Sequence, residues 1–150
     1  MDIEQVELPT TTVAVVHERV PMDALSAFYD RAYRQVQETL GAAGVPPTGP
    51  AIGWYGEMPS DTADVAAGFA VPPDAVVDGL ELLTLAGGSA VVGVHRGPYD
   101  RLPDAWSTVV AWCREQGVQG RGDFWEEYVT DPDPGGDPEQ NVTRLVLPLL

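Results

Sequence analysis

The 150-residue chain contains no lysine; all eight of its basic residues are arginine. Against 23 aspartates and glutamates they leave a net charge of −15. A surface of that sign repels phosphate backbones, so no direct nucleic-acid binding is expected. It favours cationic small molecules or a basic protein surface instead. The bias toward Ala, Gly, Pro, Val, Asp and Arg is also what GC-rich coding produces, and that accounts for the acidity without any partner. Cysteine is almost missing. Cys113 stands alone, so no internal disulfide forms, and with only two histidines there is no standard Cys/His zinc cluster. No metal and no cofactor are expected. Long apolar runs are missing too, so no segment is expected to span a membrane. Met1 to Thr12 is acidic and has no apolar run of the signal-peptide kind, which predicts a cytoplasmic location. What is present is 44% hydrophobic residues, enough to build the core of one domain.

Periodicity and punctuation place the elements. Thr11 to Arg19 reads as a strand, with Asp23 as the cap of a helix whose apolar stripe is Leu25, Phe28, Tyr29, Ala32, Val36 and Leu40. Ala51 to Glu57 and Ala63 to Val71 follow as strands. Leu80 to Leu85 is a further strand, and Gly87-Gly88 predicts a hairpin into Ala90 to Arg96. Asp100 then caps a second helix with Pro103 in its first turn and Leu102, Ala105, Trp106, Val109 and Cys113 on one stripe. Cys113 on that stripe reads as a buried structural residue. Phe124 to Thr130 and Thr143 to Leu149 are the last strands, separated by a mobile loop over Asp131 to Pro138.

The order strand–helix–strand–strand occurs twice, and residues agree across the copies. Val16 to Leu25 resembles Val94 to Leu102, with His17 on His95, Pro21 on Pro98, Asp23 on Asp100 and Leu25 on Leu102. Tyr29 then falls on Trp106 and Tyr55 on Tyr128, while Ala70 to Pro72 parallels Val146 to Pro148. The fold class is therefore α+β: a single domain, 1–150, of two modules (about 11–72 and 80–150). One antiparallel sheet is covered on one face by two helices, with pseudo-twofold symmetry and a central ligand cleft at the seam. The symmetric placement of His17 and His95 assigns them to the repeated architecture rather than to catalysis.

The candidate site lies in Phe124 to Val129. Strand alternation points Phe124, Glu126 and Tyr128 to one face and Trp125, Glu127 and Val129 to the other. Two adjacent glutamates in an apolar strand must face opposite ways, and an inward carboxylate is costly unless it is paired, hydrogen-bonded or protonated. Glu126 is the reading adopted, and Glu127 is the alternative if the register is off by one. Tyr29, Tyr33 and Trp106 from the helices and Trp54 and Tyr55 from the symmetry-related strand complete the candidate ligand-binding set. An acid ringed by aromatics suits a flat cation. There is no Ser-His-Asp spacing, G-x-S-x-G elbow or P-loop.

These strings, V-H-R-G-P-Y-D-R-L (Val94 to Leu102), the helix with Trp106 and Trp112, W-E-E-Y-V-T-D-P (Trp125 to Pro132) and R-L-V-L-P (Arg144 to Pro148), resemble the GyrI-like small-molecule-binding domain, as in the effector-binding domains of AraC-type and BmrR-type regulators. The resemblance runs over essentially the whole chain. It implies the duplicated fold, a ligand cleft between the helices over the sheet, Glu126 as the pocket glutamate and Tyr128 as its companion. No helix-turn-helix segment is recognised, so the regulator role of the fused forms does not carry over directly. Three functions follow as expectations. The first is a stand-alone protein that captures hydrophobic, often cationic, aromatic molecules. The second is a hydrolase of strained electrophilic rings, with Glu126 as general base and Tyr128 or Tyr55 as proton donor. The third is a gyrase-inhibitor-like contact with a protein partner. The open sheet also leaves room for a homodimer.

Overall fold

The structure is a computed structural model, and it describes residues 1–129 and 138–150. The expected mobile loop falls almost wholly on 130–137, outside the described residues. Eight strands, β1 (Asp2–Leu8), β2 (Thr11–Pro21), β3 (Ala51–Tyr55), β4 (Thr62–Val71), β5 (Glu81–Leu85), β6 (Gly88–Arg96), β7 (Phe124–Tyr128) and β8 (Val142–Pro148), form one sheet in the order β1-β6-β8-β7-β3-β4-β2-β5. All of its ladders are antiparallel.

The two edges of this sheet meet at one end. Leu8 pairs with Gly88 at one edge and Thr11 with Leu85 at the other. Only Pro9-Thr10 and Ala86-Gly87 join the edges, and links that short reach about 10 Å at full stretch. The Gly87 N–H donates to Thr10 Oγ1 (3.0 Å), tying the two links together. The sheet therefore rolls into a half-barrel. Its concave face buries Val13, Val15, Ile52, Ala66, Trp125 and Val146 in one cluster.

The convex face carries two helices, α1 (Leu25–Ala43) and α2 (Leu102–Gln116). Helix α1 buries Phe28, Ala32, Val36 and Leu40, and α2 buries Leu102, Ala105, Val109 and Cys113, the stripes the sequence marks out. Burial pushes the Cys113 thiol up, away from nucleophilic character. Each helix stops at a left-handed glycine, Gly44 and Gly117. No described helix is long and apolar enough to cross a membrane.

The structure departs from several expectations. Gly87-Gly88 is not a hairpin, because β5 pairs with β2 at one edge while β6 pairs with β1 and β8 near the other. Strand β1 is an additional element. Asp23 and Asp100 cap nothing: each sits in a 3-10 turn, Met22–Ala24 or Tyr99–Arg101, ahead of its helix. The helices begin with no side-chain cap bond.

The two modules are β2-α1-β3-β4 and β6-α2-β7-β8, and the sheet order places them symmetrically about the β3–β7 junction. Their turns, helix starts and C-terminal glycines correspond, with Pro21 on Pro98 and Leu25 on Leu102. Extending that alignment back into the strands puts Glu18, not His17, on His95. The faces agree: odd residues of β2, such as Val15, point into the half-barrel, whereas the odd Val91 of β6 points to α2. His17 and His95 thus lie on opposite faces and are not symmetry mates. Likewise, carrying Tyr55 onto Tyr128 through the two ladders puts Ala70 on Pro148, which shifts the expected Ala70–Pro72 match.

Candidate functional site

At the junction Ala51 pairs with Tyr128, Gly53 with Glu126 and Tyr55 with Phe124. The sequence match of Tyr55 to Tyr128 also makes Gly53 the counterpart of Glu126. Gly53 and Glu126 are thus both ladder partners and symmetry mates, so the pseudo-twofold axis passes between them. One carboxylate sits on that axis, with a bare backbone facing it.

Glu126 points to the helix face and is 6% exposed. Its Oε2 accepts the Trp106 indole N–H from α2 (2.8 Å), and its Oε1 accepts the Tyr128 hydroxyl (2.7 Å). Both donors are neutral, and no salt bridge to Glu126 occurs among the described residues. Burial pushes the carboxyl above its ordinary value of 4.5, while the bonds from Tyr128 and Trp106 and the nearby His95 work the other way. His95 itself is buried, and its Nε2 lies 3.1 Å from the Pro98 carbonyl.

Around this acid the aromatic rings close up. The Tyr29 hydroxyl donates to that of Tyr55 (2.6 Å), and the Tyr33 hydroxyl donates to the Ile52 carbonyl (2.9 Å). Tyr29 and Tyr33 stack, with ring centres 5.7 Å apart, and Tyr128 stands edge-on to both. Phe124 joins the two halves by stacking on Tyr55 (5.1 Å) and meeting Trp106 at 4.9 Å. Burial holds the Tyr29, Tyr33 and Tyr128 hydroxyls well above the usual phenol value and pushes Tyr55 up to about 12. These phenols are fixed as neutral donors and acceptors.

The structure brings Glu126, Tyr128, Tyr55, Trp106, Tyr29 and Tyr33 together. It does not bring Trp54 to them, because alternation along β3 turns Trp54 to the face opposite Tyr55. There it meets His17 edge-on (5.5 Å) and donates to Asp123 (3.1 Å). Glu127 is likewise turned away, bonded to Arg144 (2.7 Å) and Trp125 (3.0 Å). Sequence reasoning passed over Phe124, Tyr99, which stands edge-on to Tyr128 (5.6 Å), and Gly53. Phe124 was legible from the same alternation that put it on one face with Glu126 and Tyr128. A surface hollow of about 350 Å³ is lined by Met1, Asp2, Val94, His95 and Arg96, none of which belongs to the ring cluster.

Comparison with known proteins identifies the family and the fold. The model of the GyrI-like small molecule binding domain matches residues 1–150. No curated protein sequence matches. Among solved structures, the chain superposes on EcmrR in a complex with DNA at a TM-score of 0.84 and 23% identity, covering 99% of this chain and 57% of that one. The isolated EcmrR C-terminal domain gives 0.80 and 20%, covering 99% and 97%. SAV2435 bound to tetraphenylphosphonium gives 0.75 and 14%, covering 100% and 94%. A hydrolase from Listeria innocua gives 0.69 and 17%, covering 99% and 91%. At these identities the likeness concerns the fold.

Proposed function

The chain belongs to the GyrI-like family of small-molecule-binding domains, and on that premise we propose that it captures hydrophobic aromatic cations, with the Glu126 carboxylate as the charged contact. The observation that carries the reading is a buried acid held by two neutral donors, with no cationic side chain bonded to it among the described residues. Such a group is destabilised when ionised and is relieved by any cation brought beside it. The rings of Tyr29, Tyr33, Tyr55, Trp106, Phe124 and Tyr128 supply faces and edges for cation–π and stacking contacts. They fill the seam where a cleft is expected, so a ligand enters by moving rings aside. SAV2435 bound to tetraphenylphosphonium, a protein of the same fold, supports the ligand class. Trp54, on the opposite face of the sheet with His17 and Asp123, takes no part in this set.

The test is calorimetric titration with two matched pairs: tetraphenylphosphonium against triphenylphosphine oxide, and 10-methylacridinium against neutral acridine. Preference for the cation in both pairs, lost in Glu126→Gln, supports the reading. Equal binding of cation and neutral partner overturns it. A second reading, hydrolysis of a strained electrophile, draws on the raised Glu126 carboxyl beside the Tyr128 hydroxyl, an acid–base pair suited to activating water and protonating a leaving group. Turnover of a reactive epoxide or cyclopropane by the wild type but not by Glu126→Gln would favour it over capture alone.

A further inference from the structure

The pairing of Gly53 with Glu126 has a steric side. A methyl group built on Gly53 would lie 2.7 Å from the Tyr29 hydroxyl oxygen, 3.0 Å from that of Tyr128 and 3.1 Å from a Tyr29 ring carbon. All three are closer than ordinary van der Waals contact. Gly53 is mid-strand and is not among the glycines with positive φ, so its backbone conformation does not demand glycine. The demand comes from the two hydroxyls. Neither can retreat freely: Tyr29 is stacked on Tyr33 and bonded to Tyr55, and Tyr128 is bonded to Glu126 and wedged among Tyr29, Tyr33 and Tyr99.

We infer that Gly53 is the positioning residue of the site: its missing side chain is the space that admits the Tyr128 hydroxyl onto Glu126. Tyr29, bonded to Tyr55, shares the same space. The symmetry mates therefore differ because they must. A side chain at Gly53 competes for the volume from which Tyr128 reaches the acid. Gly53 acts through Tyr128 and needs no contact with a ligand. Its consequence for binding rests on the reading of Glu126 given above. When Tyr128 is displaced, the carboxylate loses one of its two donors, and its ionised form is disfavoured roughly tenfold or more, as for a lost hydrogen bond to a charged group.

The decisive experiment follows the side-chain carboxyl carbon of Glu126 by NMR in the full chain without any ligand, assigned by its disappearance in Glu126→Gln. Gly53→Ala is expected to move the titration midpoint upward, as is Tyr128→Phe. The double variant should move it no further than Tyr128→Phe alone, because both changes remove the same hydrogen bond. A wild-type midpoint in Gly53→Ala, or full additivity, would overturn the inference. Should Gly53→Ala fail to fold, Tyr29→Phe/Gly53→Ala removes the nearer hydroxyl and is read the same way. Failure of both to fold makes Gly53 a packing residue and also overturns the inference. Tetraphenylphosphonium titrated into the same variants separates the two ideas. Its failure to bind wild type would count against the proposed function while leaving the ligand-free midpoints as the test of Gly53.

Discussion

Replacing Glu126 by glutamine removes the charge and almost nothing else. The geometry lets the amide fit. Its carbonyl oxygen takes the Trp106 N–H, which can only donate, and its NH₂ turns to Tyr128, whose hydroxyl reverses from donor to acceptor. Folding should therefore survive. A raised folded-state pKa means that Glu126 supports stability below its ordinary 4.5 and loses that support as pH rises through the folded value. The melting temperature of Glu126→Gln relative to wild type should accordingly climb from acid pH toward neutrality and then level off. Cation binding moves the other way. A monocation about 5 Å from the carboxylate, at an effective dielectric near 20, gains about 3 kcal/mol. The two hydrogen bonds already draw on the carboxylate, which reduces this to about 2 kcal/mol, or roughly 30-fold in affinity. Titration of tetraphenylphosphonium and triphenylphosphine oxide into both proteins at neutral pH measures the loss. A change within about twofold for the cation would refute the argument, and so would an equal loss for the neutral compound.

Other perturbations have equally definite outcomes. Glu127→Gln severs the Arg144 ion pair on the far face; thermal melts should show a loss of about 1 kcal/mol or less in stability, while calorimetry shows cation binding unchanged. Trp106→Phe removes the donor to Oε2, so the Glu126 midpoint followed by carboxyl NMR should rise. Leu40→Ala, deep under α1, should cost about 2–5 kcal/mol in denaturant melts. His17 is bonded to Asp64 (2.5 Å) and Glu81 (2.9 Å). Burial lowers its pKa, but these bonds and charges outweigh burial and raise it above 6.5. Its contribution is therefore complete below 6.5 and fades as pH rises through the folded value. Melting temperatures over that range should fall more in wild type than in His17→Gln.

Both helices were legible because their stripes are long and each ends in glycine, so local signals and burial agree. The strand pattern showed less about partners. Gly87-Gly88 is a turn signal, but a turn does not say which strands it joins, and here it links one edge strand to the strand beside the opposite edge of a rolled sheet. Strand β1 was hidden by its composition: DIEQVEL carries three acids, as suits an exposed edge. The Asp23 and Asp100 caps failed because a 3-10 turn intervenes before each helix, which propensity alone does not distinguish. Matching His17 to His95 followed residue identity; the pairing registers follow geometry, and they differ by one. In the site, alternation put Glu126 and Glu127 on opposite faces without deciding which was inward, and the same rule applied to Trp54 would have turned it away from Tyr55. Gly53 had no sequence signal, since its meaning lies in what occupies the space it leaves.

The axis between Gly53 and Glu126 bears on what kind of molecule can carry this site. Two identical chains related by a true twofold present the same residue on both sides of the axis. Such a dimer of half-domains could offer two facing glutamates, which repel and resist joint ionisation, or two glycines and no charge at all. A solitary acid at the centre is open only to halves that are free to differ, as two halves joined in one chain are. Fusion here is what permits an odd charge at the middle of an even architecture.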